Sequence, residues 1–225
     1  MSGATQMRTK AVLFDLDGTL VDSVPDLHAA LNETMASYGE PPFTIEAVTA
    51  MVGRGVPTLI ERAYARLGKD IDPASRDKVV ERFEAIYTPR ATELTTLMPG
   101  ATGLVAALTE RGVPMGVVTN KFRAGTEIVL THFGLADAMA VVVGGDAGPA
   151  RKPAPDLLLL ACQELKIEPG EALYVGDSDN DVGAARAAGM PVVVLEGGYT
   201  TIPAADLGAD HVVTRLDEIL ALLIP

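Results

Sequence analysis

One cysteine, no tryptophan and only five tyrosines and five phenylalanines occur in 225 residues. Cys162 alone can form no internal disulfide, so the chain must rely on its core, which fits a reducing compartment. It lies in the apolar run LLLLACQEL, where a thiol serves packing better than chemistry. Positive charge is also scarce: 18 Lys and Arg face 30 Asp and Glu, a formal net charge of −12. Such a field repels polyanions and argues against binding nucleic acid or an anionic membrane surface as the main activity. No apolar run approaches the ~18–20 residues of a membrane span, and the opening MSGATQMRTK lacks the apolar stretch of a signal peptide. The expected location is the cytoplasm. Repeats and low-complexity tracts are absent too.

Apolar side chains are plentiful, at 48% of residues, and suffice for a substantial core. Short runs rich in Val, Leu and Phe recur at 11–14, 115–119, 140–144, 172–176, 192–195 and 211–214. From Gly100 onward they alternate with helix-length segments, the pattern of a parallel sheet with crossover helices. Their continuous apolarity predicts helices on both faces. The stretch from about Val24 to Arg90 differs, because Leu27, Leu31, Met35 and Tyr38, and then Leu59, Ile60, Tyr64 and Leu67, recur at helical spacing with no convincing strand. The fold class is therefore α/β, a Rossmann-like parallel sheet formed by 1–22 and 91–225, with an α-helical cap over 23–90 inserted after the first strand.

Open parallel sheets bind ligands beyond the carboxyl ends of their strands, where polar residues gather in this chain. KAVLFDLDGTLVDS places Asp15 and Asp17 after the first strand. Residues two apart on extended backbone point the same way, so both carboxylates can face one pocket while Leu16 turns into apolar packing. Gly18 permits a sharp turn, and Thr19 offers a hydroxyl to orient a carboxylate. Two like charges so close raise one pKa or recruit a cation; the alternative is a solvated turn, since DG is a common turn signal. Thr119 and Asn120 follow the second strand, and GDSDND supplies Asp177, Asp179 and Asp181 after the fourth. A calcium loop would need Gly and Glu where Val182 and Ala188 stand, so this cluster reads as a strand-to-helix turn, its carboxylates facing a cleft and capping a helix that starts near Asp181. Oxygen-only ligands favour a hard cation, magnesium above all. Lys152 precedes two prolines suited to a helix start and is either solvated or turned to the cleft. Arg151 stands where a P-loop needs glycine, which removes a nucleotide-binding loop from GGDAGPARK.

Asp15-Leu-Asp17-Gly-Thr19, Thr119-Asn120, Lys152-Pro153 and Gly176-Asp177 with Asp181 resemble the four ordered motifs of haloacid dehalogenase superfamily phosphatases, and the likeness spans nearly the whole chain. TNK, GGD, KPAPD and GDSDND look most like the phosphoglycolate phosphatase subfamily. The resemblance implies a small phosphorylated metabolite as substrate, 2-phosphoglycolate first, in a monomer or homodimer. It assigns Asp15 as nucleophile and Asp17 as acid and base. Mg2+ would be held by Asp15, the backbone carbonyl of Asp17 and Asp177, with Asp181 supporting from behind. Thr119, Asn120 and Lys152 would take phosphoryl oxygens. A nucleophilic carboxylate meeting a phosphate dianion faces repulsion of about 8 kcal/mol at ~4 Å and an effective dielectric near 20, so the chemistry requires positive charge.

In the expected cap, Arg54 lies between Gly53 and Gly55 and could pair with a substrate carboxylate, as could Lys121 beside the second motif; both are otherwise ordinary surface cations. Asp17 argues against a dehalogenase, and Arg54 against a phosphonatase, which would place a lysine there. A sugar-phosphate phosphatase or a β-phosphoglucomutase-like enzyme uses the same aspartates. A noncatalytic phosphoacceptor switch would need no cap and little more than half this length.

Overall fold

The computed structural model describes residues 7–148 and 150–224; the first six residues of the expected core segment, which open the MSGATQMRTK stretch, lie outside this range. Six strands form the main sheet: β1 (Ala11–Phe14), β2 (Met115–Val118), β3 (Met139–Val143), β4 (Ala172–Gly176), β5 (Val192–Leu195) and β6 (His211–Val213). All neighbours run parallel in the order β3-β2-β1-β4-β5-β6. The chain therefore leaves β1 toward one edge and later returns on its other side. That reversal opens a crevice beyond the carboxyl end of β1.

Alternation along the strands splits the core into two layers. Val12, Phe14, Met115, Val117, Leu173, Val175, Val193 and Leu195 pack on one face with α5 (Ala101–Glu110) and α6 (Arg123–His132). Leu13, Val118, Ala172, Tyr174, Val192 and Val194 pack on the other with α7 (Asp156–Leu165) and α8 (Asp179–Ala188). Cys162 lies within this second layer, and burial, helped by Glu168, pushes its thiol pKa up to about 11, so it stays protonated and inert.

Between β1 and β2 the chain forms α1 (Val24–Ser37), α2 (Ile45–Thr49), α3 (Val56–Arg66) and α4 (Pro73–Tyr87). Their apolar stripes meet in a third cluster, Leu27, Leu31, Met35, Val48, Ile60 and Phe83 among them, separate from the two sheet layers. Helix α2 is too short for its periodicity to show in the sequence. The two crossings between helices and sheet are fastened by a short antiparallel pair, Val21–Asp22 with Thr96–Leu97. Buried Asp26 adds a staple, accepting the N–H groups of Leu94 and Thr95 and the Thr95 hydroxyl at 2.6–3.0 Å. Among the described residues no helix is long and apolar enough to cross a membrane.

Candidate active site

The end of β1 turns as its residue types dictate. Asp15 still donates its N–H to the Val175 carbonyl, and Leu16 is wholly buried in the core. Gly18 has φ +87°, and a Cβ there would strike the Asp177 carboxylate, so only glycine permits this approach of the first and fourth strand ends. Asp15 and Asp17 both face one cavity. Asp15 Oδ1 accepts from Leu16 N–H at 2.7 Å and lies 3.0 Å from Lys152 Nζ, while Oδ2 has no donor among the described residues. Burial pushes the Asp15 carboxyl up to about 6, against the opposing pull of Lys152.

Lys152 is only 2% exposed, so the solvated alternative for it fails. Its ammonium reaches Asp181 Oδ1 and the Tyr174 hydroxyl, each at 2.7 Å, besides Asp15. Burial opposes its charge, but Asp15 and Asp181 outweigh that and raise its pKa. Asp181 is committed on both oxygens. Oδ1 takes Lys152 and the Tyr174 hydroxyl; Oδ2 accepts the N–H groups of Asp177 and Ser178 and the Ser178 hydroxyl. Burial disfavours its ionisation, yet Lys152 and these donors hold the carboxyl below the usual range. The helix expected to start near Asp181 begins two residues earlier, at Asp179, because Ser178 and Asp181 form a reciprocal capping box.

Asp177 accepts from the Thr19 hydroxyl at 3.3 Å and from Tyr199 N–H. Burial, with Asp181 and Asp15 nearby, pushes its carboxyl well above the ordinary range. Asp15, Asp177 and Asp181 can each offer an oxygen within 4.8 Å of the others'. Three buried carboxylates against the one ammonium of Lys152 leave an excess of two negative charges when all are ionised. A hard divalent cation fits that donor set in both charge and chemistry. Asp15 and Asp177 have the coordinating capacity for it, since the oxygens of Asp181 are already spent on holding the loop.

The second-strand loop closes the other side. Thr119 Oγ1 accepts the Lys121 N–H at 3.2 Å, and Asn120 clasps Lys152, its Oδ1 taking Lys152 N–H and its Nδ2 donating to the Lys152 carbonyl. Lys121 Nζ sits 3.1 and 3.2 Å from the two Asp17 oxygens and 2.6 Å from the Tyr87 hydroxyl of α4, over whose ring it also lies. Burial again opposes the ammonium, and Asp17 with Tyr87 outweighs it, pushing the Lys121 pKa up. The side chain of Asp17 is thereby held apart from the Asp15, Asp177 and Asp181 cluster. Arg54 does not line the cavity. Its guanidinium turns to Asn180 Oδ1 at 2.9 Å and Asp179 at 3.6 Å, while its neighbours Gly53 and Gly55 form the wall. The Gly53 carbonyl also accepts from Asn120 Nδ2 at 2.9 Å.

The cavity, about 250 Å³, has Asp15, Asp17, Thr119, Asn120 and Lys121 on the sheet side and Leu27, Val52, Val56, Leu59, Glu84 and Tyr87 on the helical side. It is smaller than the ~300–1,000 Å³ of drug-sized pockets and suits a small metabolite. The sequence reading missed three tyrosines. Tyr174 anchors Asp181 and Lys152 from inside β4. Tyr87 joins α4 to Lys121. Tyr199 donates its N–H to Asp177 and its hydroxyl to Asp22, and that hydroxyl also accepts from Ser23 and Val24 N–H. Tyr87 and Tyr199 lie far in sequence from their partners, so spacing carried no signal; Tyr174 is near Asp181 in sequence but far from Lys152, and its unusual placement inside a buried strand hinted at a polar task.

A protein from Rhodospirillum rubrum named phosphoglycolate phosphatase is 45% identical over 204 residues, 89% of this chain and 85% of its own length. A crystal structure described as a predicted phosphoglycolate phosphatase from Haemophilus somnus superposes with a TM-score of 0.91 at 31% identity, covering 96% of this chain and 98% of that one. CbbY from Rhodobacter sphaeroides, solved with xylulose-(1,5)-bisphosphate, is similar at TM-score 0.83 and 27% identity, covering 96% of this chain and all of that one. Residues 9–189 match the model of the haloacid dehalogenase-like hydrolases, a stretch that runs from β1 through α8 and takes in every motif loop at the strand ends, and the chain belongs to that family.

Proposed function

We propose that the protein is a magnesium-dependent phosphatase of the cytoplasm that hydrolyses 2-phosphoglycolate to glycolate and phosphate through an aspartyl-phosphate on Asp15. The observation that carries the chemistry is the pairing of Asp15 with Lys152 at 3.0 Å, beside two further carboxylates, with Asp15 lining a small cavity. The choice of ester follows the name of the 45% identical relative. We take 23–90 as a cap and 1–22 with 91–225 as the catalytic core, a division supported by the separate apolar cluster of α1–α4.

Asp15 attacks phosphorus in line with its free Oδ2, while Lys152 neutralises charge on Oδ1 and on the transferring group. The Thr119 hydroxyl and the Asn120 N–H hold phosphoryl oxygens. Asp17 gives a proton to the departing alkoxide and then, as a base, takes one from the water that hydrolyses the intermediate. Lys121, hydrogen-bonded to both Asp17 oxygens, steadies that carboxylate and must loosen when Asp17 is protonated. Magnesium, held by Asp15, the Asp17 carbonyl and Asp177, would supply the positive charge that lets two anions meet. Asp181, Ser178, Thr19 and Tyr199 orient that set without touching substrate. Apolar walls from the cap keep bulk water out.

Phosphate release from a panel of small phosphorylated acids and sugars, with and without Mg2+, tests the reading. Phosphoglycolate should be among the preferred compounds and release should require the metal. Preference for a sugar phosphate would favour the second reading, a sugar-phosphate phosphatase or mutase, which the likeness to CbbY supports; isomerisation without phosphate release would mark the mutase.

A further inference from the structure

The helical side of the cavity is mostly apolar, since the side chains of Leu27, Val52, Val56 and Leu59 offer no hydrogen bond. Its polar side chains are those of Glu84, Tyr87 and Thr88. Thr88 is exposed, whereas Tyr87, the last residue of α4, is only 6% exposed. The Tyr87 ring stacks on that of Phe83, one turn back and wholly buried, with centroids 5.5 Å apart and planes inclined by 19°. That stacking fixes where the hydroxyl points. It lies 2.6 Å from Lys121 Nζ, and both residues line the cavity.

The direction of that hydrogen bond decides what Tyr87 can do. An ammonium has three donors and no lone pair, so Lys121 donates and the phenol oxygen accepts. The phenol's own proton is left over, and no acceptor engages it among the described residues. Glu84, on the same helix, does not take it with Oε1, which has no hydrogen-bond partner. A phenol of ordinary pKa, about 10, keeps its proton at neutral pH. Tyr87 therefore offers the cavity a neutral donor, polarised by the cation bound to its oxygen. The same ammonium holds both oxygens of Asp17, so one group separates this donor from the proposed acid. The remaining charged residues of the lining, Asp15, Asp17 and Glu84, are acidic, and an anionic group on a substrate is welcome only beside Lys121.

We propose that Tyr87 is a specificity-determining residue: its hydroxyl donates a hydrogen bond to a carboxylate on the organic part of the phosphoester, a short way beyond the oxygen that Asp17 protonates. This rests on the phosphatase reading and extends it to the recognition of the far end of the substrate. The hydrogen bond is charge-assisted, and so stronger than one to a hydroxyl. Its place, one ammonium away from Asp17 in a cavity of about 250 Å³, suits a short ester.

The test is titration calorimetry with Mg2+ present, in the Asp15→Asn protein so that no ester turns over, using 2-phosphoglycolate and ethyl phosphate, which has no carboxylate. Tyr87→Phe, added to that protein, keeps the ring and its stacking on Phe83 and removes only the hydroxyl. The preference for phosphoglycolate, taken as the ratio of the two dissociation constants, should fall about ten- to hundredfold. A preference that stays the same would overturn the proposal. Equal weakening of both esters is such a result, and would make Tyr87 a support for Lys121 and Asp17 instead. Absence of any preference for phosphoglycolate before Tyr87 is changed would overturn it as well. Phosphate release from phosphoglycolate by the unaltered protein judges the proposed function separately: no release, with the preference still lost in Tyr87→Phe, would remove that function and leave Tyr87 as the carboxylate donor.

Discussion

The strand-end loops and the helical segment that faces them are built on different bonding. At the strand ends, Asp15, Lys152, Asp181, Tyr174 and Asn120 are tied into one buried network with distances of 2.7–3.2 Å. The helical segment has its own apolar cluster and reaches those loops through few polar contacts: Gly53 to Asn120, Arg54 to Asn180, and Tyr87 to Lys121. A network of charges in low dielectric is rigid and costly to break, whereas the helical segment holds these loops through one half-exposed contact, at Arg54, and two enclosed ones, at Asn120 and Lys121. The difference teaches that the groups proposed for the chemistry are preorganised on the sheet, with few polar bonds to the helices.

Breaking the rigid side should produce the largest effects. Asp15→Asn keeps the shape but removes the nucleophile, and turnover should fall by at least ~10³-fold while the fold survives; single-turnover phosphate release with circular dichroism checks both. Lys152→Ala leaves Asp15 and Asp181 buried without their cation, and should destabilise the protein by about 3–5 kcal/mol in urea unfolding as well as abolish activity. Asp17→Asn should lower kcat by about 10²–10⁴-fold with the fold intact.

Metal and pH sharpen the same contrast. The Asp15 pKa is raised from 3.8 to about 6 in the folded protein, so the native state takes up this proton at higher pH than the unfolded chain. That favours the metal-free fold below pH ~4 and is lost as pH rises through about 6. A divalent cation competes with that proton, so the rise in melting temperature on adding Mg2+ should be larger at pH 7.5 than at pH 5. An equal rise at both would separate the ion from Asp15. The smallest effect belongs to the rim: Arg54→Ala removes a half-exposed contact with Asn180 and Asp179, and should cost under about 1 kcal/mol with the kcat/KM for a small ester changed only a few-fold.

The same division governs what the sequence made legible. Asp15, Thr119 and Asp177 each follow an apolar run, and a parallel sheet necessarily brings such ends together, so strand periodicity was enough to gather them, whereas Lys152 stands in a loop well past β3 and was assigned only by the family resemblance. Gly18 and Thr19 were readable for the same local reason. The opposing wall was not. Its contribution depends on how α1–α4 pack against one another, which periodicity does not specify, and so Arg54 was expected in the pocket while its guanidinium points to Asn180. Glu84 looked like any polar helix position, and the task of Tyr199 depends on a partner 22 residues away, Asp177, and another at Asp22.

The central claim is that Asp15 receives the phosphoryl group beside a cation it shares with Asp177. A crystal structure grown with Mg2+ and trifluoroberyllate, a mimic of a phosphoryl group on a carboxylate, tests this most directly. The account predicts beryllium bonded to an Asp15 carboxylate oxygen, Lys152 within hydrogen-bond reach, and the magnesium ion ligated by Asp15 and Asp177. Beryllium on Asp17 or Asp177, or a metal bound away from the Asp15 and Asp177 oxygens, would contradict it.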